Sequence, residues 1–111
     1  GRRGAALAAR RDPEGARAFR SSARWQKCAG EARRLDGGTC VMCMELRAAV
    51  TTDGLEGHHV VPLSECLGTP LEDDPANVAT LCRACHAEAE RGCIGRAELL
   101  DLVARHRVRF E

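Results

Sequence analysis

The sequence predicts a small α+β domain, and three observations carry that prediction. Two C-x-x-C pairs, Cys40/Cys43 and Cys82/Cys85, have 38 residues between them. Helical patterns flank them, while a β-branched run, "GHHVVPL" at residues 57–63, lies between. The core these elements can build is thin: the chain is 44% apolar, but much of that is alanine, and its aromatics are Phe19, Trp25 and Phe110. At 111 residues there is room for one domain, and seven cysteines in a thin core call for a staple, either disulfides or a metal.

Element by element, "GRRGAALAARRDPEG" opens with a weak helix over residues 3–11 that Asp12-Pro13 should stop. Residues 1–18 then read as a basic, loosely docked arm. Ser22 is a plausible N-cap for a helix running to Gly37-Gly38. Trp25, Cys28, Ala29 and Ala32 take the spacing of its buried face, and Arg20, Arg24, Lys27, Glu31 and Arg34 fall on the other side. A mixed stretch leads from "TCVMC" to the turn at Thr51-Thr52-Asp53-Gly54. "LEGHHVVPL" reads as a short strand or hairpin closed by Pro62, and residues 64–76 as a loop with two prolines and three consecutive acids. "LCRACHAEAERG" reads as a tight turn entering a helix that Gly92 ends. A final amphipathic helix over about 95–108 turns Leu99, Leu102 and Val103 inward.

Charge narrows the class of partner. The net charge of +1 hides an asymmetry: residues 1–34 carry +7 and the remainder −6. The basic end is the candidate surface for a polyanion. No apolar run approaches the roughly 18 residues that span a bilayer, and the Arg-rich start lacks the apolar segment of a secretory signal. The expectation is a soluble, cytoplasmic protein without a membrane partner, in which thiols stay reduced and paired cysteines hold metal.

Two-residue spacing lets both sulfurs of a knuckle reach one tetrahedral ion, so Cys40, Cys43, Cys82 and Cys85 predict a closed structural zinc site. Cys28 lies on the buried helix face as a small apolar filler, and Cys66 and Cys93 read as ordinary free cysteines. Among the four histidines, His58 and His59 are adjacent. On a strand they point to opposite faces, which suits a division of labour between a metal ligand and a base better than joint chelation of one ion. His86 follows Cys85 directly, so the knuckle would fix it in the first turn of a helix.

Together, "C-x2-C … HHVVPL … NVATLC-x2-CH", preceded by "FRSSARWQK … LDGGTC", resembles the HNH endonuclease family, in particular its zinc-knuckle branch among phage and bacterial proteins. The resemblance covers roughly residues 19–91. It implies an HNH nuclease domain over 19–111 with its motif core at 40–91, built on a ββα-metal (His-Me finger) element in which a two-stranded ribbon carries His58 and His59 and a helix carries His86. It further implies His59 as general base, His58 and His86 as ligands of a catalytic divalent cation (Mg, Mn, Ni or Zn), and Asn77 as the brace of the loop carrying the base.

The implied reaction is hydrolysis of DNA phosphodiester bonds, leaving 5′-phosphate and 3′-hydroxyl ends. Arg20, Arg24, Lys27 and Arg34 would contact backbone phosphates without reading sequence. His106 matches nothing in the motif and reads as packing or solvated. Two features depart from the pattern: Glu88 and Glu90 follow His86 where many members have a basic residue, and "LEDDPA" adds negative charge near the expected substrate. Each weakens DNA binding, helps hold cations, or lies on a solvated face. Two other readings compete: a non-catalytic zinc-stabilised nucleic-acid-binding module, and an accessory subunit acting within a phage packaging or other nuclease complex.

Overall fold

A computed structural model describes residues 13–111. Among them six α-helices and one two-stranded antiparallel sheet follow in the order α1 (Pro13–Arg20), α2 (Ala23–Leu35), α3 (Val41–Arg47), β1 (Leu55–His59), α4 (Leu63–Cys66), β2 (Val78–Cys82), α5 (Arg83–Glu90) and α6 (Arg96–Val108). Two 3-10 turns, Pro70–Asp73 and Pro75–Asn77, lead into β2. The expected α+β class is present, with β1, β2 and α5 as its ββα unit. No helix among the described residues is long and apolar enough to cross a membrane.

Pro13 heads α1, where a missing N–H costs no hydrogen bond. Ala16 and Phe19 bury one side of this helix in a cluster with Leu63 and Cys66. The loosely docked arm expected over residues 1–18 therefore does not extend over 13–18, which are helical and packed. The rest of that arm and the helix expected over 3–11 lie outside the described residues.

Ser22 caps α2 as its sequence suggests, accepting the Trp25 N–H at 3.2 Å. After Asp36 the chain turns through Gly37 and Gly38, both at positive φ. The stretch after Cys40, read from the sequence only as mixed, begins with helix α3. At seven residues it is too short to show a period, and Cys40 starts it by accepting the Cys43 N–H on its sulfur at 3.4 Å. The expected loop over 64–76 likewise contains the end of α4 and both 3-10 turns. Thr69 and Asp74 nucleate those turns by accepting N–H bonds from Leu71 and Ala76.

In the sheet Leu55 pairs with Cys82, Gly57 with Thr80 and His59 with Val78. Val78, Ala79, Thr80 and Leu81 are all buried, because α2 packs beside β2 on one side and α3 and α6 on the other. The largest apolar cluster joins Val41, Met42, Val60, Ala79 and Leu81 to Leu99, Leu102 and Val103 of α6. Cys28, Ala32 and Val78 form a second contact between α2 and β2. Burial pushes the Cys28 thiol up to about 11, in keeping with an inert filler.

Candidate active site

The two C-x-x-C pairs meet. Cys40 and Cys43 come from the start of α3, Cys82 and Cys85 from the junction of β2 and α5, and their four sulfurs lie within 4.8 Å of one another. Cys43 Sγ is 3.7 Å from Cys82 Sγ and 3.6 Å from Cys85 Sγ. A tetrahedral ion bound about 2.3 Å from each sulfur has edges of about 3.8 Å, so the spacing fits a four-thiolate metal site. Arg47 donates to Cys85 Sγ at 3.4 Å and pairs with Glu88 at 2.9 Å. Glu88 is thereby directed to the knuckle's flank and away from the cleft.

A second cluster of possible ligands forms one helical turn further on. His58 on β1 faces His86 and Glu90 on α5, and one atom from each lies within 4.8 Å of the others. Glu90 Oε1 is 3.1 Å from His86 Nε2 and 3.4 Å from His58 Nδ1. Neighbouring ligands of an ion held at about 2.1 Å stand about 3.0–3.4 Å apart, so these atoms can share one divalent cation. Two further observations fit. His58 Nδ1 is buried and makes no hydrogen bond among the described residues, and desolvation holds the His58 ring below its ordinary pKa, keeping a lone pair free for a ligand role. On the far side of His86, Nδ1 lies 3.0 Å from Glu56 Oε1, the carboxylate contact that commonly orients a metal-binding imidazole.

His59 points the other way. Its ring stacks on Trp25, with centroids 4.5 Å apart and planes 18° from parallel. Its Nε2 is 2.9 Å from the Glu72 carbonyl oxygen, which can only accept, so Nε2 carries the proton of the neutral ring and Nδ1 carries the lone pair. Desolvation is the main cause that lowers the His59 pKa, and the Arg20 charge adds to it. The neutral ring is the form able to accept a proton near pH 7. Gly57 gives the stack room: a Cβ there would sit 3.1 Å from the Trp25 ring, a tight contact.

Asn77 ties down the turn after β1. Its Oδ1 accepts the Val61 N–H at 2.8 Å, and its Nδ2 donates to the Val61 and Leu71 carbonyls at 3.1 and 3.2 Å. Its own carbonyl accepts the Val60 N–H at 2.8 Å. The side chain thereby links the end of β1 to the segment whose Glu72 carbonyl receives His59.

The motif histidines border one cleft of about 520 Å³, lined by His58, His59, His86, Glu56 and Glu90 and faced by Arg20, Trp25 and Arg33. The four expected phosphate contacts do not stay together. Arg20 borders the cleft, but Arg24 pairs with Glu72 and Asp73 at 2.7 and 2.9 Å, and Arg34 with Glu31 at 2.6 Å, while Lys27 lies on the outer face beside Arg24 and Glu31. The acidic loop is thus partly neutralised by α2. Glu72 also accepts the Gly68 N–H at 2.7 Å.

His106 is neither simple packing nor solvated. It is fully buried, with Nδ1 2.9 Å from Glu45 and Nε2 within 3.0 Å of the Thr39 hydroxyl and the Asp36 carbonyl. Trp25, Glu56 and Arg33 are among the cleft residues that the motif did not point to. The i, i+4, i+8 spacing of Trp25, Ala29 and Arg33 was the available signal, but it gives a face of α2 without saying what that face meets.

Residues 40–92 match the family model of the HNH endonuclease, in agreement with the resemblance carried by the motifs. The match points to a nuclease-type function on nucleic acid. Searches of curated proteins and of solved structures return no match.

Proposed function

From the HNH match over residues 40–92, we propose that this protein is a metal-dependent endonuclease hydrolysing DNA phosphodiester bonds. The single observation that carries the reading is the buried, unbonded His58 Nδ1 directed at His86 and Glu90, next in sequence to a histidine whose tautomer suits a base. Structural zinc would sit on Cys40, Cys43, Cys82 and Cys85. Its role is to hold α5, and with it His86, against the ribbon.

His58, His86 and Glu90 would hold the catalytic cation. Bound there, a divalent ion neutralises charge developing on the phosphate and on the leaving 3′ oxygen. His59 Nδ1 takes a proton from the attacking water while Nε2–H remains on the Glu72 carbonyl, so the ring keeps its plane as it becomes charged. Trp25 offers a π-face to that charge. Asn77 keeps the Glu72 segment and the end of β1 in register. Arg20, at the cleft, would supply a backbone contact, whereas Arg24 and Arg34 are held by carboxylate partners.

The test is plasmid cleavage by protein stripped of its loosely held cation, with Mg, Mn, Ni or Zn added back in turn. Conversion of supercoiled plasmid with at least one cation, lost in His59→Ala, is expected. DNA binding without cleavage under every cation would instead support the non-catalytic binding module.

A further inference from the structure

We propose that Arg33, together with Arg20, is the phosphate grip of the cleft, and that the cleft face of α2, rather than its outer face, receives the polyanion. The inference rests on the nuclease reading above and adds to it which surface meets the substrate.

The register between α2 and β1 places Arg33. Trp25 stacks on His59, and one turn later Ala29 lies against Gly57, where a Cβ would meet it at 3.3 Å. The helix therefore runs antiparallel to the strand. Four residues of helix advance about 6 Å, close to the roughly 6.8 Å of two strand residues. The next turn carries Arg33 to the Glu56 end of the cleft, while Arg20 stands at the His59 end, close enough for its charge to act on that ring. The cleft lined by the two arginines is also lined by His58, His86 and Glu90, so both are placed to meet a phosphate held at that cluster.

Charge points the same way. Two arginines and two glutamates, Glu56 and Glu90, line the cleft, so its formal charge is zero before an ion is held and +2 with a divalent ion. Without Arg20 and Arg33 the glutamates would cancel the ion, and an entering phosphate would meet no net attraction. Both arginines are exposed and neither forms an ion pair among the described residues. By contrast, Arg24 and Arg34 each bond a carboxylate through two nitrogens and must release it before accepting a phosphate. Adjacent residues on a helix point about 100° apart, which is why Arg33 faces the cleft and Arg34 does not.

The experiment measures binding of short DNA duplexes of unrelated sequence by fluorescence anisotropy across a salt series, in a His59→Ala background with the cation present so that the DNA stays intact. Arg33→Gln and Arg20→Gln should each weaken binding alike for all sequences and lower the slope of log K against log salt by about 1. Arg34→Gln should leave the slope unchanged, and unchanged metal content verifies the fold of each variant. Parent-like binding by Arg33→Gln, with loss in Arg34→Gln, overturns the inference while wild-type plasmid cleavage leaves the nuclease reading standing. Absence of DNA binding by the parent overturns both.

Discussion

His58 and His59 share a peptide bond but not an environment. Alternation along β1 sends His58 to His86 and Glu90 and His59 to Trp25 and the Glu72 carbonyl. Substitutions should therefore separate their roles. His59→Ala is expected to slow cleavage by on the order of 10²-fold or more, the usual scale for a lost general base, while cation affinity stays near wild type. His58→Ala, His86→Ala and Glu90→Gln should instead weaken the cation, and excess metal should restore part of the rate. Turnover measured against cation concentration checks both; equal cation dependence in His59→Ala and His58→Ala would remove the division of labour. That the two side chains face opposite ways was legible from two adjacent histidines on a predicted strand. Trp25 was legible only as a residue of the inward helix face, because its partner ring is 34 positions away and periodicity does not name partners.

At the scale of elements, α3 and α6 are clasped through one carboxylate. Glu45, its side chain 1% exposed, accepts from Arg109 and His106 at 2.8 and 2.9 Å and lies 3.3 Å from Arg105. These contacts, the Arg109 hydrogen bond first, lower the Glu45 pKa from 4.5 to about 2. A carboxyl depressed on folding contributes stability above its unfolded pKa and loses it as pH falls through the folded one. The clasp should therefore be fully present above about pH 4.5 and lost towards pH 2. Urea unfolding midpoints across that range should fall steeply in the wild type and less steeply in Glu45→Gln, which should already be weaker at pH 7. A second tie joins the α2 terminus to α6 and β2: Asp36, fully buried, accepts from Arg107 at 2.8 Å and from the Thr80 N–H at 3.1 Å. The pattern gave α6 its apolar stripe through Leu99, Leu102 and Val103. It did not give Arg107 and His106, since polar residues set between such positions read as solvated until their buried partners are known. The short helix α3 was missed for the related reason that seven residues cover only two turns.

Across the whole molecule, apolar clusters of modest size would leave much of the cohesion to an ion held by the four cysteines. They join the α3 start to the β2–α5 junction, and α5 begins within the knuckle itself. Purified protein should hold about one tightly bound zinc per chain, and Cys40→Ser or Cys85→Ser should unfold it, as metal analysis and circular dichroism would report. Folded protein without metal would remove this account. The two C-x-x-C spacings made this staple the most legible part of the sequence, because the ion's geometry fixes which residues must meet. The stack between Trp25 and His59 has a different kind of consequence. Trp25 is the chain's single tryptophan, and it borders the cleft. Ultraviolet excitation at the red edge therefore addresses one ring in one place, so emission intensity recorded during cation or oligonucleotide titration is an optical signal from beside His59 in the cleft, obtained without attaching a label.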